Sequence, residues 1–270
     1  MNNANRCTWS EIPYETDAGT GTRAHIGLVA ISNDQTLPIE ARAMLTLPGI
    51  ALYESRIAAS RAKNEPVSVE NLDVLFDKIE ASLRLINVMR PSDVIALGCT
   101  SAAMVTGPEE LERRVRNVHP HALVTDPFTA IKSALKALKS TRVGYISPYP
   151  RDLAARMVDG IESSGPSVMT AVTFHNDGGF IGDEAPFISL ESISRAVRQV
   201  TDNFDVDTVV VACTQMRGAE IVEQLENETG VSITTSNHAL CWHALRLAKY
   251  HDEIQGWGRL FRQDVFEAAR

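Results

Sequence analysis

A chain of 270 residues with 44% hydrophobic and 22% charged content has the balance of a folded globular protein, large enough for one big domain or two lobes. Its formal net charge of -8, with no local block of Lys or Arg, excludes the electrostatic footprint of a nucleic-acid binder. No apolar run reaches membrane-spanning length and the polar N-terminus lacks a signal core, so a cytoplasmic protein with four thiols is expected, with no disulfide framework.

Residues 1–22 read as an arm ending in a Gly/Thr-rich stretch. Strands are then expected at 25–31 and 50–55, followed by a helix at 69–88 whose stripe of Leu72, Leu75, Phe76, Ile79, Leu83 and Ile86 marks core or a subunit interface. A strand at 93–99 leads to a helix at 109–118, a strand at 122–125 to one at 130–138, and a strand at 142–147 to one at 151–163. Further strands at 167–174, 207–213 and 231–235 alternate with helices at 191–203, 219–229 and 238–250, and a terminal helix is expected at 258–269. Short apolar strands separated by helices imply parallel sheets with right-handed crossovers. The fold class is therefore α/β.

Within this alternation one pattern occurs twice. Asp93-Val-Ile-Ala-Leu-Gly-Cys99 and Asp207-Thr-Val-Val-Val-Ala-Cys213 both place an Asp six residues before a Cys at a strand end, and each Cys is followed by Thr. A helix, a short strand and a further helix follow in both copies. Two pseudo-symmetric Rossmann-like lobes are expected, at 23–140 and 141–250, with a tail at 251–270. Functional groups in open α/β sheets gather beyond the carboxyl ends of the strands. The two cysteines then stand on opposite walls of one cleft.

A thiol between a strand and a following helix lies near free N–H groups and the positive end of the helix dipole, which favour the thiolate. Thr100, Ser101 and Thr214 offer hydroxyls that suit a carboxylate or an enolate. Two thiols flanking one carbon can invert a stereocentre by proton removal and return. Alternatively, one thiolate adds to an activated alkene, a single bond rotates, and elimination gives the other isomer. Neither route needs a metal or an organic cofactor. A two-lobed binding protein without chemistry is the reading from a different class. Cys7 and Cys241 lie outside the repeat and read as structurally incidental.

Strand-Gly-Cys-Thr-Ser in the first half, strand-Ala-Cys-Thr-Gln in the second and Ser236-Asn-His-Ala-Leu-Cys-Trp-His243 near the end resemble the Asp/Glu racemase superfamily. The likeness covers residues 23–250 and is strongest to the maleate cis-trans isomerase and arylmalonate decarboxylase branch. The resemblance implies a cofactor-free site between the lobes, a small carboxylate substrate and a homodimer. Isomerases carry both cysteines whereas decarboxylases keep only the second, so Cys99 and Cys213 together favour an isomerase. By the same resemblance Cys213 attacks the alkene or serves as a base, Cys99 is its partner, and Thr100 and Ser101 form the carboxylate-binding turn. Tyr149 of Ser147-Pro-Tyr149 is implied to bind a substrate carboxylate.

Two departures from that pattern bear on the substrate. Asp34 falls where the isomerases use a substrate-binding Asn, unless the neighbouring Asn33 takes that role. An Asp there is also a racemase feature, and the Asp-Gln-Thr form resembles relatives found with ectoine breakdown. In the loop 178–184, Asp183-Glu184 stands where isomerases usually have an Asp-Asn pair, so the pocket is expected to be more acidic. Arg217 is an even choice between a solvated residue and a carboxylate contact. His238, Cys241 and His243 lack the geometry and the carboxylate of a metal site, and the loop 176–179 lacks a phosphate-binding fingerprint.

Overall fold

The computed structural model describes residues 7, 9–63, 65–86, 89–174 and 183–265. Strands β1 (Ala24–Ile31), β2 (Ile50–Ile57), β3 (Val94–Gly98) and β4 (Leu123–Thr125) form one sheet in the order β2-β1-β3-β4. Strands β5 (Arg142–Ser147), β6 (Ser167–Thr173), β7 (Thr208–Val211) and β8 (Ser232–Thr235) form a second, in the equivalent order β6-β5-β7-β8. The paired strands are parallel throughout. Every residue of β1, β3 and β7 is buried, the pattern of strands covered on both faces. All eight expected strands are present, each close to its expected bounds.

The repeated Asp turns out to be a sheet device. Asp93 accepts the N–H of His25 at 2.7 Å, tying the start of β3 to β1. Asp207 accepts the N–H of Arg142 at 3.0 Å, tying the start of β7 to β5 in the same way. Each carboxylate satisfies a donor at the sheet's lower edge that strand pairing leaves open.

Ten helices are described: α1 (Leu37–Leu45), α2 (Val69–Asp73), α3 (Ile79–Leu83), α4 (Thr100–Thr106), α5 (Pro108–Arg116), α6 (Pro127–Ala137), α7 (Arg151–Glu162), α8 (Leu190–Asn203), α9 (Val222–Thr229) and α10 (Ser236–Leu247). None of the described helices is long and apolar enough to cross a membrane. The helix expected at 69–88 is instead α2 and α3, joined by tight turns in which Leu75, Asp77 and Ile79 donate to the carbonyls three residues back. Those turns keep Leu72, Leu75, Phe76, Ile79, Leu83 and Ile86 all in the core, so the stripe is core. The helix expected at 219–229 begins as a 3-10 turn, Ala219–Ile221, before α9.

The expected terminal helix reduces to a 3-10 turn, Leu260–Arg262. There the carbonyls of Phe261 and Gln263 accept from the buried Arg246 side chain of α10 rather than from a following helical turn. Helix α1 was not expected; its segment has prolines near both ends and only nine helical residues. Helix α10 is buried from Ser236 to Arg246 and packs on α1, α6, β3 and β4, so the last helix of the second half completes the core of the first.

Candidate active site

Both cysteines lie just past the carboxyl end of the third strand of their sheets, but the chain leaves them differently. Cys99 has φ -154°, ordinary extended backbone, and caps α4 directly. Gly98 before it is required by packing: a Cβ there would lie 2.2 Å from Leu37 Cδ2 and 3.0 Å from the Val29 carbonyl. Only a glycine lets α1 rest on the end of β3. Cys213 has φ +126°, a region where an L-residue is strained. No helix follows it at once, which corrects the expectation of two matched strand-to-helix steps.

Hydrogen bonds from outside the turn hold Cys213 in this conformation. Its N–H donates to Ser236 Oγ at 2.9 Å, and the same oxygen accepts from Thr100 Oγ1 at 2.8 Å. The Gln215 carbonyl accepts from Thr36 Oγ1 and the Thr214 carbonyl from Asn237 Nδ2, both at 2.8 Å. Glu40 on α1 accepts from the N–H groups of Gly218 and Ala219, at 2.9 and 3.1 Å, and from Asn237 Nδ2 at 2.7 Å. The turn carrying Cys213 is thus clamped between α1 and α10. Glu40, Ser236 and Asn237 were not singled out as site residues from the sequence; the Ser-Asn opening of α10 was the available signal.

A cavity of about 70 Å³ has Cys99 and Cys213 in its wall, together with Ser101, Thr214, Gln215 and Tyr149. Asn33, Asn71 and Arg61 add polar atoms, and Ile31, Val67, Leu72 and Leu75 make a dry side. The volume holds a few water-sized bodies, so it suits a small molecule.

Burial pushes the Cys213 thiol up to about 12, against the Gln215 N–H and the Tyr149 hydroxyl, which favour the thiolate. Cys99 is also raised by burial, against donors at the start of α4 and the Ser101 hydroxyl, whose oxygen lies 3.7 Å from the sulfur. The nearby Asp34 carboxylate raises both further. This corrects the expectation of ready thiolates: in the ligand-free molecule desolvation outweighs the helix-end donors.

Not all the predicted residues reach the cavity. Asp34 is 1% exposed and absent from the wall; its Oδ1 accepts the N–H groups of Thr36 and Leu37, both at 2.9 Å, and so caps α1. Burial raises its carboxyl, opposed by those donors. Asn33, one residue earlier, takes the wall position. Thr100 is also turned away, its hydroxyl donated to Ser236. Ser101, Thr214 and Tyr149 line the cavity, and the Tyr149 hydroxyl is near enough to the Cys213 sulfur to favour its thiolate.

The expected surplus of acid is also corrected. Asp183 Oδ1 lies 2.7 Å from a guanidinium nitrogen of Arg61, so its charge is paired. Arg61 was missed by sequence reasoning; its one signal was a position beyond the carboxyl end of β2. Arg217 belongs to a different groove, with Glu40, Phe187 and Trp257. The loop 176–179 and the first part of 178–184 lie outside the described residues.

His238 spends its ring nitrogens on Thr234 Oγ1 at 3.1 Å and the Trp257 carbonyl at 2.6 Å, and His243 Nδ1 meets Thr125 Oγ1 at 2.7 Å. Burial lowers both imidazoles to about 4. Among the described residues no group of three or more His, Cys, Asp or Glu is arranged for a metal ion. Cys241 is buried in α10 and Cys7 is exposed, both away from the cavity.

Comparison with known proteins adds an independent line. The sequence model described as arylmalonate decarboxylase matches residues 26–261. A maleate isomerase of Nocardia farcinica is 30% identical over 250 residues, spanning 88% of this chain and 96% of its own length. Among solved structures, a Cys-to-Ser variant of the Nocardia farcinica maleate cis-trans isomerase, with a covalently bound succinylcysteine intermediate, superposes with a TM-score of 0.77 at 27% identity. It covers 88% of this chain and 98% of that one. The maleate isomerase Iso of Pseudomonas putida S16, in a Cys-to-Ala variant with maleate, has a TM-score of 0.76 at 20% identity, over 90% of this chain and 99% of that one, a likeness of fold.

Proposed function

The chain belongs to the arylmalonate decarboxylase family, and on that premise we propose that it is a cofactor-independent cis-trans isomerase of a small, maleate-like dicarboxylate. The observation that carries the proposal is the pair of thiols, Cys99 and Cys213, in the wall of one small cavity. The reacting form is Cys213 thiolate with Cys99 thiol. The Cys213 sulfur bonds to one alkene carbon while the π pair moves toward the adjacent carboxylate. Cys99 gives its proton to the other carbon, and the resulting thioether has a single bond free to rotate. Return of that proton to Cys99 re-forms the double bond and expels the Cys213 thiolate, so no atom or electron is left over.

Ser101, Thr214 and Asn33 are the polar groups for the substrate, and Tyr149 supports the thiolate with its hydroxyl. The racemase alternative drew on Asp34, and the position of Asn33 on the wall, with Asp34 capping α1, favours isomerisation. In this reading residues 23–140 and 141–250 are the two lobes, supported by the equivalent strand orders. Unpaired cysteines suit a reducing cytoplasm. A homodimer is supported by exposed Val74, Leu85 and Met89 on one segment, and sedimentation giving only monomer at micromolar concentration would refute it.

The direct test follows maleate in D2O by NMR. Conversion to fumarate by the intact protein, lost in Cys213→Ala and in Cys99→Ala with the fold retained, is the expected result. Deuterium entering the α-carbon of an amino acid, with maleate inert, would replace the proposal by racemisation.

A further inference from the structure

We propose that Glu40 is a positioning residue of the reaction, holding the turn that carries Cys213 so that this thiol stands at a fixed place opposite Cys99. This rests on the reading of the two cysteines as the reacting pair. Glu40 is absent from the cavity wall, so it acts through the direction of the Cys213 sulfur and not by touching the substrate.

Helix α1 bears on both thiols. On one side Leu37 packs against the glycine before Cys99, so closely that a Cβ on Gly98 would lie 2.2 Å from Leu37 Cδ2. On the other side Thr36 Oγ1 donates to the Gln215 carbonyl at 2.8 Å, two residues past Cys213. Glu40, one helical turn after Thr36, reaches the far end of the same segment. Its Oε1 accepts from the N–H groups of Gly218 and Ala219, at 2.9 and 3.1 Å, and its Oε2 from Asn237 Nδ2 at 2.7 Å. That Asn237 nitrogen also donates to the Thr214 carbonyl at 2.8 Å. One carboxylate therefore fixes the turn directly at residues 218 and 219 and, through Asn237, at residue 214.

The chemistry of the side chain suits this task. Three donors converge on it, and an ionised carboxylate has acceptor sites for all three and no donor of its own to conflict with them. Burial raises the Glu40 carboxyl, opposed first by the Asn237 amide and then by the two backbone N–H groups. Burying an acid is unfavourable unless its bonds are kept. Here they hold a turn whose Cys213 has φ +126°, a conformation that persists only where the surroundings enforce it. Because α1 belongs to the first half of the chain and Cys213 to the second, one short helix sets the relation between the thiols.

Two variants grade the effect. In Glu40→Gln the new amide oxygen still accepts from Gly218 and Ala219, but its nitrogen meets the Asn237 nitrogen, donor against donor. Asn237 can turn its oxygen to that nitrogen only by releasing the Thr214 carbonyl. Glu40→Ala removes all three bonds.

With maleate as substrate, kcat should fall about ten- to hundredfold in Glu40→Ala and less in Glu40→Gln. KM should stay within about twofold of wild type, because the substrate contacts are untouched. Without turnover, iodoacetamide rates at Cys213 and Cys99 are read in one sample by peptide mass spectrometry at fixed pH. A released turn admits water to the Cys213 sulfur and favours its thiolate, so the Cys213-to-Cys99 rate ratio should rise about tenfold in Glu40→Ala and less in Glu40→Gln. A role confined to stability lowers the melting temperature and leaves that ratio at the wild-type value. An unchanged ratio in folded Glu40→Ala overturns the assignment.

Hydrogen exchange on the unaltered protein stands in if neither variant folds: the Gly218 and Ala219 amides should exchange as slowly as those inside α1. Exchange at the rate of an open loop overturns the assignment as well. A protein inert to maleate whose rate ratio still rises would sink the isomerase and leave Glu40 as the holder of Cys213. An active isomerase with an unchanged ratio would do the reverse.

Discussion

At Cys213 stability and chemistry pull in opposite directions, and replacing the residue by Gly and by Ala measures the conflict. The φ of +126° belongs to a region that costs a non-glycine residue about 1–3 kcal/mol. Glycine removes that cost but has more freedom to lose on folding, about 0.4–1 kcal/mol relative to alanine. Both variants lose the thiol, so that loss cancels between them. The balance leaves Cys213→Gly more stable than Cys213→Ala by about 1 kcal/mol, or about 2–4 °C in melting temperature. Cys99 provides the control, because its φ of -154° suits any residue. There the order should reverse, with Cys99→Ala above Cys99→Gly by about 0.5–1 kcal/mol. Urea unfolding of the four variants, monitored by far-UV circular dichroism, gives both differences. If alanine is favoured by the same margin at both positions, Cys213 is not strained and the clamp by Ser236, Asn237 and Glu40 has nothing to hold.

Three further outcomes follow from the site and its support. With its thiol raised to about 12, Cys213 should react with iodoacetamide about tenfold faster per pH unit between about pH 7 and 10, and a plateau near pH 8 would contradict that burial. Tyr149→Phe removes a donor to the thiolate and should slow the same reaction about tenfold at fixed pH, without changing its slope. Gly98→Ala should cost about 1–3 kcal/mol in urea unfolding, because its Cβ meets Leu37 and the Val29 carbonyl; a midpoint equal to wild type would show that α1 yields easily.

Whatever depends on neighbours along the chain was legible before any tertiary contact was known. Apolar runs of strand length between helical runs were enough for eight parallel strands in two sheets, because a strand buried on both faces must be apolar throughout. The repeated Asp and Cys marked the start and end of the same strand in each sheet, so both thiols could be named before any contact was known. Helices with weak local signals were less legible: α1 is short and flanked by prolines, and the break between α2 and α3 follows the demands of the core.

Tertiary structure decided everything that depends on residues distant in sequence. Arg61 and Asp183 are 122 positions apart, and no local pattern announces their ion pair. Asn33 and Asp34 are adjacent and chemically alike in size, yet the turn into α1 consumes one and presents the other to the cavity. The conformation of Cys213 is imposed by Ser236, Asn237 and Glu40, which reach it from α10 and α1. Its protonation state likewise reflects desolvation by the assembled walls, a property of the surroundings that the residue's own neighbours in sequence do not carry.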